Sequence, residues 1–376
     1  MSRDILNIMI VLFCFLLSGG IAEAQSFAHP GGLYTRSEFE AARKKVAAGE
    51  QPYAAAYEKL MEEAKKSLER TPEPVRRFSP PGYYKNPEKC LEMLRHLSHD
   101  AWAAYSCAIA YQLAPKTQKT QYADKTIQIL EAWAKKNKAC GTSEGMLLMS
   151  YAGIGFVYAA EAISDYNGWK EAERTEFKKW LRAVYLKVSN GIAGRKNNWG
   201  NWGVLGCIAS HHFLNDAKGL DADIVRIREK IDHAIEADGH LPREAARGKR
   251  GIWYTYFALA PLTAACQIAA NARGADLFHY KGEDGAGIEK ALDYLLQYCH
   301  EPEKWPHYKK KKKDMILPRQ KTWPGNLYEA MSGIYGKKEY EAWIKDARPI
   351  MVHGHHYAWS VPTLLKTVPP KEKSQK

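Results

Sequence analysis

In the stretch Tyr122-Ala123-Asp124-Lys125-Thr126-Ile127-Gln128-Ile129-Leu130-Glu131-Ala132-Trp133, the large apolar residues Ile127, Leu130 and Trp133 recur three residues apart, with polar and charged residues between them. An α-helix turns once in about 3.6 residues, so this spacing puts all three on one stripe and predicts a helix with one buried face. The same period runs through 37–48, 53–68, 90–113, 117–135, 143–164, 170–187, 201–213, 222–236, 251–272, 286–300 and 324–335. Strand-like alternation is nearly absent. Pro72-Glu73-Pro74, Ser79-Pro80-Pro81-Gly82, Asn167-Gly168, Asp238-Gly239 and Lys281-Gly282-Glu283-Asp284-Gly285 break the periodic runs. Helices of about 15 to 20 residues joined by such loops pack as antiparallel pairs around an axis. The predicted fold is therefore all-α, an incomplete (α/α) toroid. A solenoid of short repeats is the structural rival, but no motif recurs at a fixed period.

The chain opens on Arg3-Asp4, an apolar run from Ile5 to Leu17, and Ala22-Glu23-Ala24 before Gln25. A basic start, an apolar stretch and a small-x-small end predict a signal peptide over residues 1–24. The apolar run is short for a membrane span, which needs roughly 20 residues, and no span is expected after cleavage. The remaining 25–376 shows no Pro/Gly/Ser linker and is expected to form one domain. Lys and Arg number 55 against 42 Asp and Glu, a formal net charge of +13. Loss of the leader, with one basic and two acidic residues, raises this to +14. An exported protein with that surplus is matched to an acidic polysaccharide rather than to nucleic acid. Lys309–Lys313 reads as a solvated basic loop. Cys90, Cys107, Cys140, Cys207, Cys266 and Cys299 lack CxxC spacing and mostly lie in apolar helical contexts, which suits buried thiols better than a disulfide framework or a zinc site.

Two segments hold the residues suited to chemistry. Asn197-Asn198-Trp199-Gly200-Asn201-Trp202 opens an apolar helix, where unpaired backbone donors and the positive end of the dipole favour an anion. One Asn suffices for an N-cap, so three Asn and two Trp in six residues point to binding by Asn197, Asn198, Trp199 and Trp202. In the second segment, Asp238 to Tyr256, a continuous helix would put Arg243, Arg247, Arg250 and Tyr254 on one face. Gly248 and Gly251 are the signal for the alternative, a broken helix regular only from Gly251 onward. The loop Ser79-Pro80-Pro81-Gly82-Tyr83-Tyr84-Lys85-Asn86 adds Tyr83 and Tyr84, which either stack on sugar rings or pack their own loop.

These residue types fit proton abstraction beside a carboxylate. The C5 proton of a uronic acid is weakly acidic because its loss puts a second negative charge next to the first. Donors around the carboxylate, Asn198 and Arg247, would stabilise the enolate-like transition state. Tyr254 would take the proton, and a phenol with an ordinary pKa near about 10 needs an adjacent guanidinium to lower it. The same phenol can protonate the departing glycosidic oxygen when both lie on one face of the ring, which makes the reaction a syn β-elimination.

His29-Pro30-Gly31-Gly32-Leu33-Tyr34-Thr35, Asn197-Asn198 with its aromatic neighbours, and Pro242-x-Glu244-x-x-Arg247-x-x-Arg250-x-x-x-Tyr254 resemble the alginate lyase superfamily, polysaccharide lyase family five and distant relatives such as family thirty-eight. The resemblance implies an (α/α) toroid and eliminative cleavage of 1,4-linked polyuronates. It also implies carboxylate neutralisation by Asn198 and Arg247, and Tyr254 as base and acid. Family five carries a histidine after the second asparagine, where this chain has Trp199. That histidine is the base for guluronate, so the expected substrates are those with syn geometry, mannuronate and glucuronate. His240, His211 and His212 are substitutes by residue class alone, with His240 the one in the approaching loop. His353-Gly354-His355-His356 resembles a metal cluster but has no close carboxylate or cysteine, and reads as a loop near the cleft. Neither metal nor cofactor is expected. Two rivals stand beside the lyase: a glycoside hydrolase on the same scaffold, which needs two facing carboxylates, and a polyanion-binding protein without catalysis.

Overall fold

The buried stripes expected from periodicity appear as helices in a computed structural model, which describes residues 27–310 and 314–367. Residues 1–24, where a signal peptide is expected, and Lys311 to Lys313 lie outside the described residues. In chain order the helices are α1 (Arg36–Ala47), α2 (Tyr53–Leu68), α3 (Pro87–Leu113), α4 (Lys119–Lys136), α5 (Ser143–Ala162), α6 (Glu171–Trp180), α7 (Lys187–Ala193), α8 (Asn198–Phe213), α9 (Ala217–Ala234), α10 (Gly251–Arg273), α11 (Ile288–His300), α12 (Gly325–Tyr335) and α13 (Lys338–Ile344). The run expected over 170–187 changes to a wider π turn at Leu181–Leu186 before α7. One short parallel pairing, Arg77–Phe78 with Ala139–Cys140, ties the loop before α3 to the loop before α5.

Two kinds of helix alternate. α4 and α9 are amphipathic: Ile127, Leu130 and Trp133 are buried on α4, and Leu220, Ile227 and Ile231 on α9, with charged residues outward. α5, α8, α10 and the second half of α3 are buried nearly all round, and the four pack in order, α3 on α5, α5 on α8 and α8 on α10. A helix apolar on every side belongs inside a ring of others. α5 is long and apolar enough to cross a membrane, contrary to the expectation that no segment after the leader is, but 94% of its apolar window is buried in this ring. The resulting all-α layout is the (α/α) toroid expected.

The four inner helices run in one direction. Their C-terminal ends meet, where the Gln112 amide donates to Ala162 O at 2.7 Å and Glu161 lies 3.5 Å from His212. Their N-terminal ends meet at the other rim, where Arg195, just before α8, donates to Ser143 Oγ at 3.1 Å. The C-terminal stretch 350–367 sits between α12 and α3. The Asn326 amide donates to Trp359 O at 3.2 Å, the Tyr357 hydroxyl donates to Ser98 O, and His353 stacks on Trp102 at 4.3 Å. Among the described residues the six cysteines are free thiols.

Candidate active site

The N-terminal rim gathers four helix starts, whose aligned dipoles make an electropositive setting for an acidic ligand. Over it stand the loop carrying Tyr83 and Tyr84 and the segment leading into α10. That segment follows the broken-helix reading. Pro242–Ala245 forms one turn, Gly248 sits at φ +59° where a side chain would be strained, and α10 starts at Gly251.

The break brings the arginines onto two phenols. Arg247 Nη2 donates to the Tyr254 hydroxyl at 3.0 Å and to the Tyr84 hydroxyl at 3.3 Å, and Arg250 Nη1 donates to Tyr84 at 3.0 Å. The Arg247 guanidinium also lies over the Tyr254 ring, 4.2 Å from its centre. The phenols divide the electrostatics unequally. Burial against Trp253 and Phe257, reinforced by the hydrogen bond with Tyr84, pushes the Tyr254 pKa up to about 12 against the pull of Arg247. In Tyr84 burial also raises the pKa, but its bond with Tyr254 and the two guanidinium groups outweigh it, so the value falls below the ordinary phenol range. The guanidinium expected to acidify Tyr254 is in place, yet the phenol it makes acidic is Tyr84, because Tyr84 is the more exposed of the two. The proton belongs to the pair.

Asn198 lies at the first turn of α8 and is buried, 1% exposed. Its backbone N–H donates to Glu244 Oε1 and its amide to Glu244 Oε2, both at 2.7 Å. The anion at this helix N-terminus is thus a protein carboxylate. Burial raises the Glu244 pKa, opposed by the Asn198 bonds and by Arg247 and Arg243. Glu244 was legible only as part of the quoted motif, since a lone Glu carries no sign of a partner 46 residues away.

The other expected residues divide. Trp202 is a correction: it is 0% exposed, enclosed by Tyr151, Phe257 and His356, and cannot meet a polymer. Asn201 and Gly200 are structural too. The Asn201 amide donates to Ala258 O at 2.9 Å, tying α8 to α10, and a Cβ on Gly200 would stand 1.8 Å from Arg195 O. Trp202→Ala is expected to cost about 3–5 kcal/mol of stability, read as a lower denaturation midpoint with KM of the folded enzyme unchanged. Asn197 caps α8 without a side-chain cap bond, and Trp199 is half-buried under the Arg195 guanidinium at 4.0 Å. Arg243 is exposed and makes no bond to the phenols, so the stripe of three arginines reduces to Arg247 and Arg250. Tyr83 packs edge-on against Tyr84 at 5.4 Å. His240 is held by Asp238 at 2.6 Å and stacks on His307, away from the phenol pair's bonds. His211 and His212 end α8, 13 and 14 residues from Asn198, about 20 Å along the axis, which removes both as a base. The histidine sequence reasoning placed only loosely is His355. It stacks on Tyr151 at 4.8 Å and meets Trp253 edge-on, and desolvation among these rings pushes its pKa down to about 4, so it is neutral.

Known proteins resemble this chain in sequence and in fold. The alginate lyase family model matches residues 41–305. A polysaccharide lyase of Stenotrophomonas maltophilia (strain K279a) is 38% identical over 109 residues, 28% of this chain and 32% of its own length. An alginate lyase of Cobetia marina is 24% identical over 201 residues, 50% of this chain and 52% of its own. The chain therefore matches a third to a half of the length of these curated relatives. Among solved structures, an alginate lyase from Bacteroides ovatus superposes with a TM-score of 0.66 at 19% identity, covering 86% of this chain and 96% of that one. Alginate lyase A1-III from Sphingomonas species A1 gives 0.71 at 18% identity, covering 93% and 100%, and its Tyr-to-Phe variant has been solved with a tetrasaccharide. At these identities the likeness is one of fold.

Proposed function

The chain belongs to the alginate lyase family, and from that membership we propose that it cleaves a 1,4-linked polyuronate, polymannuronate or glucuronan, by syn β-elimination outside the cytoplasm. The observation carrying this reading is Arg247 bonded at once to Tyr254 and Tyr84 on a rim of helix N-termini. Tyr254, ionised through the shared proton of the pair, takes the C5 proton. The C5 electrons form the C4=C5 double bond, the C4–O4 bond breaks, and Tyr254 returns the proton to O4. Arg247 and Arg250 face the sugar carboxylate, and we assign Asn198 to holding Glu244 and the first turn of α8 in place. The reaction balances without an oxidant, reductant or cofactor. The tetrasaccharide complex of the A1-III enzyme supports an oligosaccharide ligand for the same fold.

Glu244 and Asp238, the acids of the segment, are bonded to Asn198 and to His240 respectively, which leaves the hydrolase without its free carboxylate pair there. Polymannuronate, polyguluronate, glucuronan and a hyaluronan control separate the readings. Ultraviolet absorbance from the unsaturated product is expected with polymannuronate or glucuronan and not with polyguluronate. New reducing ends without absorbance would establish a hydrolase, and retention on the polymer with neither signal a binder.

The phenol pair also sets a pH dependence. The ionised form is reactive, so kcat/KM should rise with pH through an apparent pKa below about 10, the ordinary phenol value. Tyr84→Phe removes the phenol that titrates first and leaves Tyr254, raised by its burial, to ionise alone, so the rise should move to higher pH. An unshifted profile would show that the pair is not what titrates.

A further inference from the structure

At the C-terminal ends of the inner helices, remote from the phenol pair, three chain segments bring together His29, Glu161 and His212. Glu161 and His212 are enclosed, with side chains 8% and 2% exposed, and His29 is 20% exposed. His29 Nδ1 stands 2.9 Å from both Glu161 oxygens. His212 Nδ1 stands 3.5 Å from Glu161 Oε1 and has no hydrogen-bond partner, and the ligating atoms of all three lie within 4.8 Å of one another.

Counting protons exposes a deficit. Asn215 Oδ1 accepts the Phe27 N–H at 2.7 Å, so an oxygen, not an amide NH₂, faces His29 Nε2 at 3.2 Å. His29 therefore carries its proton on Nε2. In the neutral ring this turns the Nδ1 lone pair onto a carboxylate that already accepts the Gly31 N–H at 2.9 Å. A lone pair facing a carboxylate in an enclosed site requires a positive charge between them, which a proton or a metal ion supplies.

We propose that His29 Nδ1, His212 Nδ1 and Glu161 form a structural site for one divalent transition ion of the zinc type, with water from the exposed His29 side as the fourth ligand. The N-to-O separations of 2.9 and 3.5 Å bracket the edge of about 3.3 Å that a tetrahedron with bonds of ~2.0–2.1 Å requires. Asn215 supplies the outer hydrogen bond that orients a metal-bound histidine. His212 is 14 residues along α8 from Asn198, about 21 Å, so the ion does not reach the substrate. It clips the segment from Phe27 onward to α5 and α8. This gives His29 of the His29-Pro30-Gly31-Gly32 run, which has no part in the proposed chemistry, a physical task.

The test uses tag-free, chelator-stripped protein titrated with Zn²⁺ by calorimetry and metal analysis, and with Co²⁺ by absorption. One ion per chain is expected, with tetrahedral Co²⁺ bands and no strong thiolate charge-transfer band, which separates this site from the free cysteines. At a hundredfold excess over Kd the denaturation midpoint should rise by on the order of 4 °C. Glu161→Gln should lower affinity by at least tenfold, and Asn215→Ala, should that variant fail to fold, by about tenfold. Folded wild-type protein that takes up no ion from micromolar Zn²⁺, or binding indifferent to these variants, would overturn the site and leave an imidazolium–carboxylate ion pair. The readout is binding, so it stands or falls separately from turnover.

Discussion

Tyr254→Phe is expected to lower kcat by about 10²- to 10⁴-fold, the range removed with a general acid–base group, while polymer affinity changes little. The ring packs on Trp253 and against Phe257, contacts a phenylalanine keeps, so the fold and the cleft wall survive the substitution. What is lost is the hydroxyl that accepts from Arg247 at 3.0 Å. Turnover by ultraviolet absorbance and affinity by retention on the polymer read the two effects apart. Undiminished turnover would remove Tyr254 from the mechanism and pass the base role to another group, with His355, a neutral imidazole packed on Trp253, the candidate.

Arg247→Ala should reduce kcat/KM by about 10²- to 10³-fold, the loss typical of one preorganised donor at a developing charge. Three effects of one side chain go together. The donor to both phenols disappears, the cation over the Tyr254 ring disappears, and Glu244 loses the stronger of the two cations that offset its burial. With Arg247 gone, nothing opposes burial at Tyr254 except Arg250, so the pair ionises at higher pH and the alkaline rise of kcat/KM moves upward. Arg247→Lys should recover only part of the loss, because an ammonium is a point charge without the planar fork that spans two hydroxyls. An effect confined to salt-sensitive affinity, with kcat intact, would reduce Arg247 to docking the polymer.

The hydrolase and the binder make opposite predictions for the same variants. A hydrolase would be indifferent to Tyr254→Phe and sensitive to Glu244→Gln, whereas a binder would respond to Arg247 and Arg250 through salt dependence alone.

The helices were legible because their signal is local. A three-to-four residue period is set within one turn, so Ile127, Leu130 and Trp133 declare a buried face whatever packs on it, and α2 is found over the span its period marks. The family motif likewise named Arg247 and Tyr254, seven residues apart and joined in the structure. Partnership across the chain has no such period. Nothing near Tyr84 announces Arg250, 166 residues on, and nothing near Asn198 announces that its amide is held by Glu244 rather than left open for a ligand. Trp199 and Trp202 read alike in sequence, yet α8 turns one to the rim and the other into the core. Tertiary structure also decided which phenol is acidic, since burial is a property of the assembled ring: it raises Tyr254 while the more exposed Tyr84 falls under the two arginines. Composition and periodicity determined an all-α chain, and the family motif pointed to a basic, phenol-bearing site. Folding determined which of those residues meet, because contact between distant segments depends on how the inner helices align their ends.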